Sequence, residues 1–410
     1  MKRKVMALMI GLCLTVPALA GAEVAPLAEV SDPLLQKLIE KGTLSEQEAG
    51  EIQSKKGAAS RAAELHEAFK GLSIGGVVFL DYSTGKTANA NGTSTDYNRF
   101  TLQRAYININ KEITPWMKFR ITPDITTSST ATGNYVMRMK YAYANFLASD
   151  AGLLTNTEVR VGLAQTPWLD FEEAMQGYRM QSALFQDKRG LVTSSDLGVG
   201  VLGNLGGKLD KEKTAGVGSG SYAGRFGSYH IGLYNGGGYS STTGETNTNK
   251  ALQGRLTIRP LADMFPGLQL TYFGITGKGN AVTNSTGKPQ GWMNNTALAS
   301  YQHKYATATA EFFTGRGSSG GDAIYAKRKQ GYSYFAKFIL PMYEKAAIFG
   351  RYENLDPNKD VKTDNIKTAI AGLSYRIAGA NYVVAAYERT HDKTLPKEDK
   401  KAQVVLQVSF

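Results

Sequence analysis

The chain has little cysteine and tryptophan and no long apolar run beyond its first residues. Its 410 residues include one cysteine, Cys13, and three tryptophans. Cys13 lies inside an N-terminal apolar stretch that has the features of a cleaved signal, so the mature chain is expected to contain no cysteine. This excludes disulfides, thiolate metal sites and a c-type haem, which requires a C-x-x-C-H sequence.

The N-terminus has the three parts of a secretory signal. Residues 2–4 are basic, residues 5–16 form a short apolar core, and the small residues around Ala20 and Ala22 offer two cleavage sites. We therefore expect residues 1–22 to be a signal peptide. No later apolar stretch reaches about 18 residues, so the sequence predicts no transmembrane helix. The mean hydropathy of −0.28 also fits a barrel, because each strand exposes an apolar residue only at every second position.

Residues 23–70 show helical spacing. Asp32 before Pro33 is a helix start with the aspartate as cap, and Ser45 and Glu48 form a capping box for a second helix. A third, polar and alanine-rich helical stretch follows. This segment is either a short periplasmic bracket or a coiled-coil trimerisation stalk, and the small number of heptads favours the bracket.

From residue 71 onwards the apolar period changes from 3.6 to 2, which predicts an all-β fold. Residues 159–163 and 117–122 alternate without interruption. The predicted strands lie near residues 72–83, 98–112, 116–127, 134–148, 157–165, 194–205, 222–235, 250–259, 267–276, 293–303, 304–314, 331–340, 346–354, 364–378, 379–390 and 402–410.

The connections between these strands are alternately long and short. Long polar connections follow the odd strands and mostly short ones follow the even strands, as in outer-membrane barrels with long external loops and tight periplasmic turns. Residues 206–221 form one long connection that this pattern does not explain. Residues 71–410 are therefore predicted to form a transmembrane antiparallel β-barrel of about 16 strands in the cell outer membrane, in contact with its lipid.

The last run of alternating residues ends at Phe410. Such an ending resembles the signal by which bacterial outer-membrane barrels are recognised for assembly, so we interpret Phe410 as the assembly signal. With an even number of strands, both ends of the barrel lie on the periplasmic side.

Five short motifs carry a resemblance to a known family. They are FTLQRAY at 100–106, VGLAQTP at 161–167, RG at 189–190 followed by DLGV at 196–199, YENLDPN at 352–358, and LLQKLIEKG at 34–42. Over most of residues 71–410 the chain resembles the phosphate-selective porins and related Gram-negative diffusion porins. The resemblance implies a homotrimer in which each pore is narrowed by an inward-folded third loop, here near residues 166–193.

The charges of that loop depart from the family pattern. Its constriction candidates are nearly balanced in sign: Glu172, Glu173, Arg179, Asp187, Lys188 and Arg189. An arginine-rich constriction is absent from this sequence, so strict phosphate selectivity is not predicted.

The alternation also predicts which side of each strand faces the lumen, because a cation that faces lipid at the membrane midplane costs about 2–4 kcal/mol. The basic residues predicted to line the pore are Arg104, Lys118, Arg120, Arg138, Lys140, Arg160, Arg255, Arg259, Lys337, Arg351 and Arg376. These cations outnumber the predicted lumen acids, Asp124, Asp196 and Glu311. They either give the pore a mild anion preference or pair with loop carboxylates and only shape it.

Tyrosines near strand ends are expected to form lipid-facing girdles, and their lipid-facing parity argues against an aromatic slide inside the lumen. These tyrosines are Tyr141, Tyr143, Tyr301, Tyr332, Tyr334 and Tyr375.

No motif predicts an enzyme, a metal site or a cofactor. Residues 356–360 begin like a calcium loop but lack the glycine at its sixth position and the glutamate at its twelfth. The four histidines are scattered and show no metal-ligand spacing. The formal charge is +12, and removal of the signal leaves +9. Export argues against nucleic acid as the partner and leaves anionic solutes or lipopolysaccharide.

The sequence favours passive diffusion of small hydrophilic solutes with a mild anion preference. The alternative is a barrel that sheaths a periplasmic cytochrome and so forms an electron conduit across the outer membrane. Small inward residues such as Gly198 and Gly200 would suit a conduit, whereas an inward-folded loop at 166–193 would narrow the lumen and suit a porin.

Overall fold

The computed structural model describes residues 30–127, 135–239, 247–282, 289–319 and 327–410. The predicted signal peptide, with Cys13, lies outside these residues. The chain divides into two compact units, residues 1–70 and 71–410. Within the described ranges, no helix is both long enough and apolar enough to cross a membrane.

The N-terminal unit contains two helices, α1 (Pro33–Glu40) and α2 (Glu46–Phe69). Asp32 caps α1 by accepting a backbone N–H at 2.9 Å. Ser45 and Glu48 form the expected capping box, since each backbone N–H donates to the other residue's side chain. The predicted second and third helical stretches are one helix, because an interior glycine such as Gly57 costs only about 1 kcal/mol.

The second unit is a closed antiparallel barrel, which confirms the predicted fold class. Its strands are β1 (Leu72–Ala88), β2 (Ser94–Thr114), β3 (Met117–Thr127), β4 (Tyr135–Leu147), β5 (Leu154–Gln165), β6 (Ser195–Leu205), β7 (Gly227–Tyr234), β8 (Ala251–Ile258), β9 (Leu268–Val282), β10 (Pro289–His303), β11 (Ala306–Arg316), β12 (Arg328–Leu340), β13 (Tyr343–Asp356), β14 (Ile366–Ala378), β15 (Asn381–Asp392) and β16 (Asp399–Ser409). Each strand pairs with its sequence neighbours, and β1 pairs with β16, with Val77 opposite Ser409.

The two faces of the barrel wall differ in polarity. On β8, Leu252 and Leu256 are 47% and 50% exposed on the outer face, whereas Gln253 and Arg255 point inward and are buried. A closed barrel pairs its strands without leaving an edge, which is the only way β-structure can cross lipid. Its apolar exterior places the chain in the cell outer membrane.

A β-bulge on β4 reverses the predicted parity of two tyrosines. Thr122 of β3 lies opposite Tyr141, but the next residue, Pro123, lies opposite Met139, so Lys140 is an extra residue. After a bulge the side chains switch faces. Tyr141 and Tyr143 are therefore buried inside the barrel, and the expectation that they belong to a lipid-facing girdle is wrong.

The four other predicted girdle tyrosines lie on β10, β12 and β14. Tyr301, Tyr334 and Tyr375 are 40%, 53% and 50% exposed, as expected for an outer face. Tyr332 packs against Tyr334, with ring centroids 5.4 Å apart.

In the structure the unexplained long connection spans residues 206–226, between β6 and β7, and it contains a short helix, α5 (Lys211–Val217). Asp210 caps α5 by accepting the backbone N–H of Lys213 at 2.8 Å. Beyond α5 the chain carries Tyr222 to the ring of Phe171, with the centroids 5.0 Å apart in an edge-on arrangement. Through Tyr222, the connection contacts the inward-folded loop from the short-turn end of the barrel.

Phe410 lies at the seam where the barrel closes. Its backbone N–H and carbonyl both hydrogen bond to Gly76 of β1, at 3.1 and 2.9 Å. A Cβ at Gly76 would lie 2.4 Å from the Phe410 ring, so the glycine leaves room for the aromatic side chain. Phe410 thus extends the pairing of β16 with β1, and its role as an assembly signal remains a prediction.

Candidate functional site: the constriction of the lumen

The inner loop, residues 166–193, folds into the barrel and packs on its wall. It contains two helices, α3 (Leu169–Gln176) and α4 (Phe185–Lys188). Trp168, which is fully buried, stacks on Phe273 of β9 with ring centroids 5.1 Å apart. Trp168 and Met175 share one apolar cluster with Trp292 of β10.

The later part of the inner loop continues across the opposite wall. Tyr178 stacks on Phe349 of β13 at 4.0 Å, and Met180 joins a cluster that includes Phe79 of β1. Phe185 packs on β11 and β13. The inner loop thus contacts the wall from β8 round to β1, so the open part of the lumen lies along β2–β5.

Several residues predicted for the pore instead tie the inner loop to the wall. Arg351 donates to the carbonyl of Ala183 at 2.8 Å, and Arg189 donates to Thr368 at 2.8 Å. Lys188 forms an ion pair with Glu388. Arg351 is 6% exposed, so its side chain anchors the loop where the sequence suggested a pore-lining cation.

Glu172 lies on the buried side of α3, away from the open lumen, where sequence reasoning placed it in the constriction. It is completely buried and accepts a hydrogen bond from Gln176 at 3.0 Å. Burial, followed by the nearby Glu311 carboxyl group, raises the pKa of Glu172 well above its usual value. Gln186 of α4 donates to the same Glu311 at 2.6 Å. These polar contacts hold both loop helices against β11.

Four of the predicted cations come together on the open wall: Arg104, Arg120, Arg138 and Lys140. Arg138 forms an ion pair with the fully buried Asp124 at 2.8 Å. Lys140 donates to the hydroxyl of Tyr106 at 2.9 Å, and Arg104 donates to the same hydroxyl. Because these side chains occupy neighbouring strands about 4.8 Å apart, they form one cationic surface.

Tyrosine rings separate these cations. The Lys140 ammonium group lies 4.5 Å from the ring centroid of Tyr106 and 5.4 Å from that of Tyr141. The Arg120 guanidinium lies over Tyr141 at 4.7 Å. An aromatic face is attracted to a cation, so the rings hold the like charges apart in fixed positions.

The inner loop presents acidic groups to this cationic wall. Asp170 accepts a hydrogen bond from Tyr141 at 3.3 Å, and the side chain of Glu173 is 45% exposed. Arg179 lies between Glu173 and Asp187, at 3.9 and 2.7 Å. Sequence reasoning missed Asp170, although it lies on the same helix as Glu173.

The remaining predicted pore residues lie outside this cluster. Arg160 pairs with Glu158 at 2.8 Å, and Lys118 lies 3.8 Å from Glu112 near the short-turn end. Lys337 and Arg376 line a separate cavity of about 260 Å³ beside Tyr178.

The prediction that Arg255 and Arg259 line the pore is wrong, because both side chains are buried. Arg255 is 2% exposed between the rings of Phe171 and Tyr222, and it donates to the carbonyl of Pro167 at 3.1 Å. Arg259 is 3% exposed and donates to backbone carbonyls of the long connection. Both point inward, but protein covers them, so neither is offered to solutes.

Between the cationic wall and the inner loop lies a cavity of about 440 Å³. Its lining includes Tyr106, Asn108, Arg120, Lys140, Asp170 and Glu173. The arrangement can attract small ions, orient them between opposite charges and let them pass. In the described parts of the chain, no group of three or more histidine, cysteine, aspartate or glutamate side chains could hold a metal ion.

No protein-family model and no curated relative matches the chain. Solved structures do match. An anion-selective porin from Comamonas acidovorans is 10% identical, with a TM-score of 0.57 over 83% of this chain and 99% of its own.

Two further solved structures are similar to this chain at comparable identity and TM-score. OprB of Pseudomonas putida is 11% identical, with a TM-score of 0.56 over 85% of this chain and 96% of its own. Salmonella typhi OmpF, solved with daunomycin, is 11% identical, with a TM-score of 0.55 over 83% and 97%. At these identities the likeness establishes a shared fold, and the chain has the barrel of Gram-negative outer-membrane porins.

Proposed function

We propose that the chain is an outer-membrane porin through which small hydrophilic solutes diffuse passively, with a mild preference for anions. The observation that carries this proposal is the cavity between the inner loop and the wall of β2–β4. A barrel narrowed by a packed loop selects by size and charge and needs no moving part.

The anion preference follows from the charges around that cavity. The cations are Arg104, Arg120, Arg138, Lys140 and Arg179, and the acids are Asp124, Asp170, Glu173 and Asp187. Five cations against four acids leave a small positive excess, and its influence on ions extends over about one Debye length, 8 Å at physiological salt. That excess supports a mild preference, and the loop acids argue against strict selectivity for phosphate.

The inner loop also favours a porin over an electron conduit. A barrel that sheaths a cytochrome needs an empty lumen, but here three apolar clusters fix the loop inside the barrel. We further propose a homotrimer in outer-membrane lipid, with small anions as the main charged solutes. One of the matched structures is described as a trimer form, and that protein is 10% identical to this chain.

Liposome swelling and planar-bilayer recording test this function. Purified protein should admit small uncharged sugars at rates that fall with sugar size, and it should form steady ohmic channels. Protein that folds and inserts but admits no sugar and carries no current would overturn the proposal. A current that appears only with an added cytochrome would favour the conduit.

A further inference from the structure

The hydroxyl of Tyr106 is fixed as a hydrogen-bond donor towards the lumen. A tyrosine hydroxyl has one hydrogen to donate and two lone pairs to accept with. Arg104 and Lys140 both donate to its oxygen, so both lone pairs are occupied. The hydrogen itself has no protein acceptor among the hydrogen bonds of the described residues, and Tyr106 lines the cavity of about 440 Å³.

Asn108 lies two residues further along the same inward face of β2, and its side-chain oxygen also accepts two hydrogen bonds. Its Oδ1 accepts from Arg120 at 2.8 Å and from Thr122 at 3.0 Å. The Thr122 hydroxyl in turn accepts from Arg120 at 3.0 Å, which completes a closed network. Among the hydrogen bonds of the described residues, Asn108 Nδ2 donates to no protein acceptor, and Asn108 lines the same cavity, so its amide hydrogens are available there.

The donor strip, Tyr106 and Asn108, therefore offers only hydrogens, and the cations behind it hold those hydrogens in place. We infer that the donor strip is a transient binding site for small, fully ionised oxyanions of the sulfate or sulfonate class. This inference rests on the proposed function and adds a ligand class to it. Oxyanions of this class present lone pairs and no hydrogen, so every contact with the donor strip is favourable.

The carboxylates of Asp170 and Glu173 line the same cavity from the inner loop. Their negative charge keeps binding weak enough for the ion to leave. They are also acceptors for the one O–H group that hydrogen phosphate keeps at mildly alkaline pH, so the test uses sulfate, which has no hydrogen to donate.

The test is sulfate block of the chloride current through single channels of the full-length protein. Sulfate should block the wild-type current, and the block should grow with sulfate concentration. Tyr106→Phe should raise the half-blocking sulfate concentration about tenfold, the size expected when one hydrogen bond to a charged group is lost. Tyr143→Phe, the same chemical change next to Arg160, is the matched control. Asn108→Ala provides a second, independent variant and should also weaken the block.

If the pore attracted sulfate through its charge alone, Tyr106→Phe would not weaken the sulfate block. Tyr106→Phe leaves the net charge unchanged and releases Arg104 and Lys140, so charge alone predicts an equal or stronger sulfate block. That outcome would overturn the inference while an anion-favouring reversal potential upholds the proposed function. A cation-favouring wild type would overturn the proposed function itself.

Discussion

Replacing Trp168 by alanine should loosen the inner loop without opening the barrel. The indole is fully buried and contacts Phe171 and Phe273, with ring centroids 6.3 and 5.1 Å away. Truncation of a buried tryptophan to alanine costs about 3–5 kcal/mol. A loss of about 4 kcal/mol would raise the population of the locally detached loop about a thousandfold, since each 1.4 kcal/mol is a factor of ten.

Single-channel recording measures this effect directly. We expect Trp168→Ala to show a larger mean conductance and more open-channel noise, because the loop no longer stays against β9. The barrel should still fold, since the strand ladder does not use this side chain, and heat-dependent migration on gels verifies folding. Trp116→Ala is the matched control, because Trp116 is 55% exposed and packs on Phe146. A folded Trp168→Ala channel with wild-type conductance and noise would refute the reasoning.

Three further predictions concern closure, charge and pH. Gly75→Ala should reduce the folded fraction on heat-modifiability gels, because the new Cβ would lie 2.8 Å from the backbone oxygen of Phe410. The control is Gly254→Ala, whose Cβ would lie 3.8 Å from its nearest atom and should not reduce folding. Equal folding of the two variants would contradict this prediction. Glu173→Gln should raise the chloride-to-potassium permeability ratio about twofold, because the interaction energy between one charge and an ion about 8 Å away in water is about 0.5 kcal/mol. An unchanged permeability ratio would contradict this prediction. The raised pKa of Glu172 means that its stabilisation of the loop is fully present below the ordinary glutamate pKa and is lost as pH rises through the raised value. Channel noise should therefore grow with pH in the wild type but not in Glu172→Gln, and a flat wild-type profile would count against it.

The strand plan could be predicted from the sequence because alternation is a local signal. All sixteen predicted strands are present, with most ends shifted by a few residues. The contact between the long connection and the inner loop could not be predicted locally, because Tyr222 and Phe171 are distant in sequence. The packing of a loop inside a barrel likewise depends on non-local apolar contacts, such as that of Trp168 with the wall.

The side-chain assignments were less predictable, for two physical reasons. A single extra residue at Lys140 moved Tyr141 and Tyr143 to the inside, and nothing in the local alternation marks such a bulge. Parity also predicts whether a side chain points inward or outward, but it does not show whether other parts of the protein cover that side chain. Arg255 and Arg351 point inward as expected, yet the inner loop and the long connection bury them.

The structure also changes which cation is the best probe of selectivity. Arg138 pairs with the fully buried Asp124, so replacing it by glutamate would leave two acids together and endanger folding. Arg120 is half-buried at the cavity and bonds to the neutral side chains of Asn108 and Thr122. Arg120→Glu therefore changes the charge of the pore with the smaller structural risk.

The reversal potential across a potassium chloride gradient tests the central claim most directly. The account predicts that wild-type channels pass chloride more readily than potassium, and that Arg120→Glu moves the potential towards potassium. A folded wild-type channel that favours potassium, or an Arg120→Glu channel with the wild-type potential, would contradict the claim that these wall cations set the selectivity.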